Sequence, residues 1–239
     1  MKNPTAAMLV IGDEILSGRT RDANMHYLAG QLTDAGIALA EVRVVPDERD
    51  VIIAAVQALA ANYDTVFTSG GIGPTHDDIT ADCMAAAFGQ TIDVRDDARD
   101  ILQAHYDKSG TELNEARLRM ARIPADATLI DNPVSSAPGF TIENVHVMAG
   151  VPSVFIAMVA SVLPTLTGGA PLLSETLTVH RGEGDIAGPF GAIAEAYPSL
   201  SMGSYPFQKD GRYGAHLVVR GQDRAMLDEA MGKLSEAFS

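Results

Sequence analysis

Residues 68–82 place three glycines (Gly70, Gly71, Gly73), Pro74, Thr75 and the adjacent carboxylates Asp77 and Asp78 between an apolar run and an apolar-periodic segment. Glycines at such a junction let the backbone take positive φ and approach a ligand closely. The helix start that follows offers free N–H groups and the positive end of a dipole, which suits a phosphate or another anion. Asp77 and Asp78 would repel a bare anion, so a bridging divalent cation reconciles the two halves of the segment. This is the composition of a metal-assisted nucleotide or phosphate site, although it fits neither the Walker A pattern nor G-x-G-x-x-G. The competing reading is a tight turn in which Thr75 and Asp78 form a capping box at the start of the helix.

Such a loop needs strands and helices to hold it. Residues 6–11 read as a short strand ending at Gly12, Asp13 and Glu14. Met25, Leu28, Ala29, Leu32 and Ala35 follow helical spacing, started by Asp22 or Asn24 and stopped by Gly36. Residues 39–45 read as a second strand, Val51, Ile52, Ala55, Val56 and Leu59 as the next helical face, and residues 65–67 as a third strand before the glycine loop. Ile79, Cys83, Ala86 and Ala87 mark the helix after it. This alternation predicts an α/β fold with a mostly parallel sheet and helices on both faces. Loops after parallel strands share one rim where ligands bind. Four loops would meet there: Gly12 to Glu14, Pro46 with Asp47 and Glu48, Gly70 to Asp78, and Ala149 to Ser153 with Gly150 and Pro152. For Asp47, a plain helix N-cap is the alternative to a catalytic role.

Further along, residues 96–106 and 115–121 read as helices, 129–140 as loop-rich, 140–142 and 145–148 as a strand pair turning at Glu143 and Asn144, and 150–166 as a helix. The run Thr167, Gly168, Gly169, Ala170, Pro171 is the best linker in the chain. It divides a domain of residues 1–168 from one of residues 172–239. The second reads strand–helix–strand–strand–helix, a small two-layer α+β arrangement. Its sheet leaves an open face to which residues 174–181 and Leu217, Val218 and Val219 are expected to contribute an apolar patch for a partner.

Composition narrows the function. The net charge of −14, from 17 Lys and Arg against 31 Asp and Glu, argues against nucleic acid and an anionic membrane surface as partners. One cysteine, Cys83, cannot form an internal disulfide, and no apolar run reaches membrane-spanning length, so a cytoplasmic protein is expected. His146, His180 and His216 fall in strand-like stretches without metal-ligand spacing, leaving His76 as the histidine nearest the chemistry. No nucleophile elbow is present.

The segment Gly12-Asp13-Glu14-Ile15-Leu16-Ser17-Gly18 resembles the Gly-x-Glu-Leu/Ile-Leu-x-Gly opening of the CinA-like branch of the MoaB/Mog molybdopterin-binding superfamily. Asn24 falls where that branch has the Asn entering its first helix, and Ser69 to Thr80 is similar to its Thr-Gly-Gly-Leu-Gly-Pro-Thr-x-Asp-Asp-x-Thr segment. Asn114, Arg117 and Met120, then Asn132-Pro133, Ala137-Pro138-Gly139-Phe140 and Gly150-Val151-Pro152-Ser153, resemble its later segments in order, covering about residues 5 to 168. The resemblance implies a three-layer α/β/α domain binding a pterin or adenine nucleotide, with a small KH-like domain at residues 172–239. That domain would not bind RNA, because Gly211-Arg212-Tyr213-Gly214 lies between strands rather than helices.

The resemblance also implies divalent-metal ADP-ribose pyrophosphatase activity. Asp78, Asp77 and Asp47 would then be its catalytic residues, and Asp77, Asp78 and Glu14 its metal ligands. Gly12, Glu14, Asn24, Ser69, Gly70, Gly71, Gly73, Thr75, Ser135, Ser136, Gly150 and Pro152 would contact the ligand. The alternatives are adenylyl transfer to molybdopterin and a module that binds the pterin or nucleotide without turning it over. Full-length relatives carry a C-terminal amidase domain, for which no room remains before Ser239, so amidase function is not expected. Relatives of this fold associate, so a homo-oligomer, dimer or trimer, is expected.

Overall fold

In the computed structural model, which describes residues 3–209 and 211–239, the chain separates into two units, Met1–Gly169 and Ala170–Ser239. The first runs β1 (Thr5–Ile11), α1 (Asp13–Leu16), α2 (Asn24–Asp34), β2 (Ala38–Val45), α3 (Arg49–Asn62), β3 (Thr65–Ser69) and α4 (Thr80–Ala87). It continues with β4 (Ile92–Val94), α5 (Asp96–Ser109), α6 (Glu115–Leu118), β5 (Arg122–Pro124), β6 (Thr128–Ile130), β7 (Gly139–Ile142), β8 (Val145–Met148) and α7 (Pro152–Val162).

The central strand explains the architecture. Successive residues of β1 point to opposite faces, and both sets are apolar: Ala7, Leu9 and Ile11 enter one core, Ala6, Met8 and Val10 the other. A strand buried on both faces belongs at the centre of a covered sheet. The six-stranded sheet has the order β2-β1-β3-β8-β7-β6, parallel from β2 to β8 and antiparallel at β7 and β6. Ile52, Val56 and Leu59 of α3, Cys83 and Met84 of α4 and Leu102 of α5 fill one face, and Leu28 and Leu32 of α2 with Phe155, Met158 and Val159 of α7 fill the other. This is the three-layer α/β/α arrangement expected from the alternation.

Two local expectations need correction. The helix after the glycine loop begins at Thr80, two residues beyond Asp78, and its buried face is Thr80, Cys83, Met84 and Ala85, with Ala86 exposed. The sequence 129–140 is not all loop, because Thr128–Ile130 pairs with Gly139–Ile142. The strands β4 and β5 form a separate antiparallel pair. At three residues each, β4, β5 and β6 are too short for alternation to register in the sequence.

The second unit runs β9 (Leu173–Val179), α8 (Glu183–Ala196), β10 (Ser201–Lys209), β11 (Arg212–Gly221) and α9 (Arg224–Phe238). Its sheet, β10-β11-β9, is antiparallel throughout. Asp223 caps α9 by accepting from the Met226 N–H at 3.1 Å. Val179, Leu217 and Val219 meet Ile186, Phe190, Leu227, Ala230 and Leu234 in a small core. The open face is less apolar than expected. Leu217 and Val219 turn inward, and Ser174, Thr176, Thr178, His216 and Arg220 flank Val218 on the outside. Gly211, at φ +74°, starts the strand side of the β10–β11 hairpin, so Gly211 and Gly214 do not join helices.

Candidate functional site

The loops after β1, β2, β3 and β8 enclose a cleft of about 480 Å³ on the carboxyl rim of the parallel strands. Gly12 and Glu14 come from the first loop, Asp47 from the second, Gly70, Gly71, Gly73, Asp77 and Asp78 from the third, and Gly150 from the fourth. Ser135 closes the far side from the loop before β7.

The glycine loop is held by close backbone packing. Gly70 has φ +111°, and a Cβ there would lie 2.2 Å from the Ile11 carbonyl oxygen. Gly71 has φ +70°, and its Cβ would lie 2.1 Å from Thr80 Oγ1. That hydroxyl donates to the Gly70 carbonyl at 3.0 Å, while the Thr80 N–H donates to the Gly71 carbonyl at 2.9 Å. The Gly70 N–H is taken by the Met148 carbonyl at 3.1 Å, so it does not face a ligand as the sequence suggested. The N–H groups of Gly71, Ile72 and Gly73 have no acceptor among the described residues. Consecutive free N–H groups in a turn form an anion-binding concavity.

Asp78 combines the two readings of this segment. Its Oδ2 accepts from the Thr75 N–H at 2.8 Å and from Thr75 Oγ1 at 2.5 Å, the backward half of a capping box, though no helix starts there. Asp78 nevertheless lines the cleft. The single hydroxyl proton of Thr75 goes to Asp78 and not to its neighbour Asp77.

Asp47 is not the cap of α3. That position belongs to Glu48, whose side chain makes no capping bond. Instead Asp47 Oδ2 accepts from the Asp13 N–H at 2.9 Å, joining the loops after β1 and β2. Partial burial pushes the Asp47 carboxyl above its ordinary value, and the charges of Asp13, Glu14 and Asp77 push the same way against the Asp13 N–H.

The structure does not bring every expected residue to the cleft. Asn24 is buried and donates from Nδ2 to Ser69 Oγ and to the Gly150 carbonyl, each at 2.8 Å, tying β3 to the loop after β8. Asn24, Ser69 and Pro152 line a side chamber of about 70 Å³. Thr75 braces Asp78, and Ser136, at φ +62°, turns its hydroxyl to His105 Nδ1 at 3.0 Å. His76 points fully into solvent. Conversely, Met120, Val151 and Val154 line the cleft without having been singled out as ligand contacts. Apolar residues of this kind read as core in a sequence. Asn132 had a signal, the Asn-Pro pair. It is buried, donates to Ser135 Oγ at 2.7 Å and to the Ala137 carbonyl at 2.8 Å, and so shapes the far wall.

A divalent cation fits the donor chemistry in one way only. No three carboxylate, histidine or cysteine groups among the described residues form a ready cluster. Glu14, Asp47, Asp77 and Asp78 nonetheless line one cleft that carries no lysine or arginine. One or two carboxylates with ligand phosphates and waters is the usual manner of holding magnesium.

Comparison with known proteins gives two family matches. Residues 7–168 match the family described as "Probable molybdopterin binding domain", and residues 171–239 match "FAD synthase, middle domain". The chain is 34% identical to a CinA-like protein of Citrifermentans bemidjiense over 98% of its own length and 58% of that protein's. It is 35% identical to a protein of Caldivirga maquilingensis over 74% of its own length and 70% of that protein's. The crystal structure of CinA from Thermoplasma acidophilum superposes with a TM-score of 0.62 at 32% identity, covering 69% of this chain and 99% of that one. No helix among the described residues is long and apolar enough to cross a membrane.

Proposed function

Since the chain belongs to the molybdopterin-binding domain family, in its CinA-like branch, we propose that the cleft binds a phosphate-bearing nucleotide and hydrolyses the pyrophosphate of ADP-ribose or a similar compound. The observation that carries this reading is the meeting of the free N–H groups of Gly71, Ile72 and Gly73 with four carboxylates in one cleft. Amides alone would suit any anion. Carboxylates beside them suit an anion that arrives with a metal.

The three N–H groups receive phosphate oxygens and fix the pyrophosphate across the rim. One or two of Asp77, Asp78 and Glu14 would hold a divalent cation, with ligand phosphates and waters completing its shell; when bound it would neutralise the phosphates and polarise the bond to be broken. For Asp78 this leaves Oδ1, because Oδ2 is bonded to Thr75. Asp47, which lines the cleft and has a raised proton affinity, would take the proton from the attacking water. Water adds to one phosphorus and the bridging oxygen leaves with the other, giving AMP and ribose 5-phosphate from ADP-ribose. Met120, Val151 and Val154 supply an apolar wall for the base.

One observation favours a second reading, in which the cleft holds molybdopterin or a nucleotide, with adenylyl transfer or without turnover: the bond from Thr75 engages half of the Asp78 carboxylate. A thermal-shift screen of pterins and nucleotides, with and without a divalent cation, separates the two, since a ligand of the native state raises the melting temperature. A nucleotide diphosphate that stabilises only with the cation supports hydrolysis, and a pterin that stabilises without it supports the second reading. We further propose a homo-oligomer, to be measured by light scattering.

A further inference from the structure

The cleft has four carboxylates and no cationic side chain, yet its proposed ligand is an anion. Immediately beyond the glycine loop lies a second, much smaller chamber of about 20 Å³. Gly71, Ile72, Gly73, Asp78 and Met120 border both spaces. Arg119 and Arg122 line only the smaller one.

These two arginines differ. Arg122 is neutralised by Asp82, with Nη2 and Oδ1 2.5 Å apart. Arg119 has no ion pair among the described residues, and the sole side-chain hydrogen bond it makes to them runs from Nη2 to the Asp78 carbonyl at a long 3.4 Å. Its Nε is buried without an acceptor. In a chain with 31 acidic residues and 17 basic ones, a half-buried guanidinium left without a carboxylate is an uncompensated cost unless something else supplies the negative charge. The chamber has room for one water-sized group, which is the size of a single phosphate oxygen.

We propose that Arg119 is the cation that recognises the ligand's phosphate, reaching under the glycine loop from the turn before β5 to take one oxygen of a group that lies on the Gly71, Ile72 and Gly73 N–H groups. This deepens the reading of the cleft given above and rests on it. A guanidinium suits the task because its charge is fixed and its donors are spread in a plane. The bond to the Asp78 carbonyl then couples phosphate recognition to the position of Asp78.

The rival role for Arg119 is a brace on Asp78 with no ligand contact, and two substitutions separate the roles. Arg119→Gln keeps a donor for the Asp78 carbonyl and removes the charge, whereas Arg119→Lys keeps the charge. Binding of inorganic pyrophosphate with magnesium is measured by calorimetry at several salt concentrations. The expected result is binding weaker by about ten- to a hundredfold in Arg119→Gln, with a shallower salt dependence, and a loss under about threefold in Arg119→Lys. Arg119→Gln that binds like the unaltered chain, or equal losses in both variants, would overturn the assignment while leaving the reading of the cleft intact. An unaltered chain that binds no pyrophosphate would overturn both.

Discussion

The Asp47 carboxylate accepts a hydrogen bond from the backbone N–H of Asp13 at 2.9 Å, across 34 residues of sequence. This contact sets the spacing of two rim loops and leaves a carboxyl of raised proton affinity facing the cleft. Because its folded value lies above the unfolded one, the stability linked to Asp47 is fully present below the unfolded value and is lost as pH rises through the folded one. At neutral pH the charge therefore costs stability. Asp47→Asn keeps an acceptor for Asp13, so its melting temperature at pH 7 is expected to equal or exceed that of the unaltered chain while turnover is lost. Asp47→Ala also breaks the tether and is expected to cost about 1 kcal/mol. Thermal melts at pH 7 beside a turnover assay check both, and full turnover in Asp47→Asn would remove Asp47 from the chemistry.

The glycine loop should respond sharply to a single methyl. Gly71→Ala places a side chain at φ +70° and 2.1 Å from Thr80 Oγ1, and is expected to cost about 2 kcal/mol or more. Thr80→Val leaves the Gly70 carbonyl without its 3.0 Å hydroxyl partner and is expected to cost about 1–2 kcal/mol. Chemical denaturation of each variant measures these values. Changes below the error of the method would mean that the loop is not held by this contact.

Acid sensitivity should trace to His146. It is buried in β8 against Phe67, bonded to Thr141 Oγ1 at 2.8 Å, and burial pushes its pKa down to about 4. Here the folded value lies below the unfolded one, so the stability present above about pH 6.5 is lost as pH falls through the folded value. That span corresponds to about 3 kcal/mol. His146→Asn should flatten the stability profile between pH 7 and pH 4, as followed by denaturant titrations. An unchanged profile would place the acid sensitivity elsewhere.

What could be read in the sequence was whatever local chemistry advertises. Gly70, Gly71 and Gly73 beside Asp77 and Asp78 showed the loop, and the alternation of strand and helix showed a covered sheet, at whose centre residues 6–11 bury both faces. The role of Asp78 was half legible. Its bond to Thr75 follows from their spacing, but the helix start two residues later depends on how Thr80 packs under Gly70 and Gly71. Asp47 looked like a cap because its partner, Asp13, is brought to it only by the pairing of β1 with β2. The same holds for Asn24, whose contacts with Ser69 and Gly150 lie 45 and 126 residues away. Val154 carries no local mark at all, and Met120 and Val151 were marked only by the family segments they sit in, not as cleft residues, since an apolar residue on a cleft wall is chosen by the same forces that fill a core.

The central claim is tested most directly by incubating the purified chain with ADP-ribose, with and without magnesium or manganese, and following the products by phosphorus NMR. Conversion to AMP and ribose 5-phosphate is expected only when the cation is present. Asp78→Asn retains an oxygen for both Thr75 donors, so it should melt as the unaltered chain does while losing at least about a hundredfold in rate. No cleavage by the unaltered chain with either cation, or undiminished cleavage by Asp78→Asn, would contradict the account.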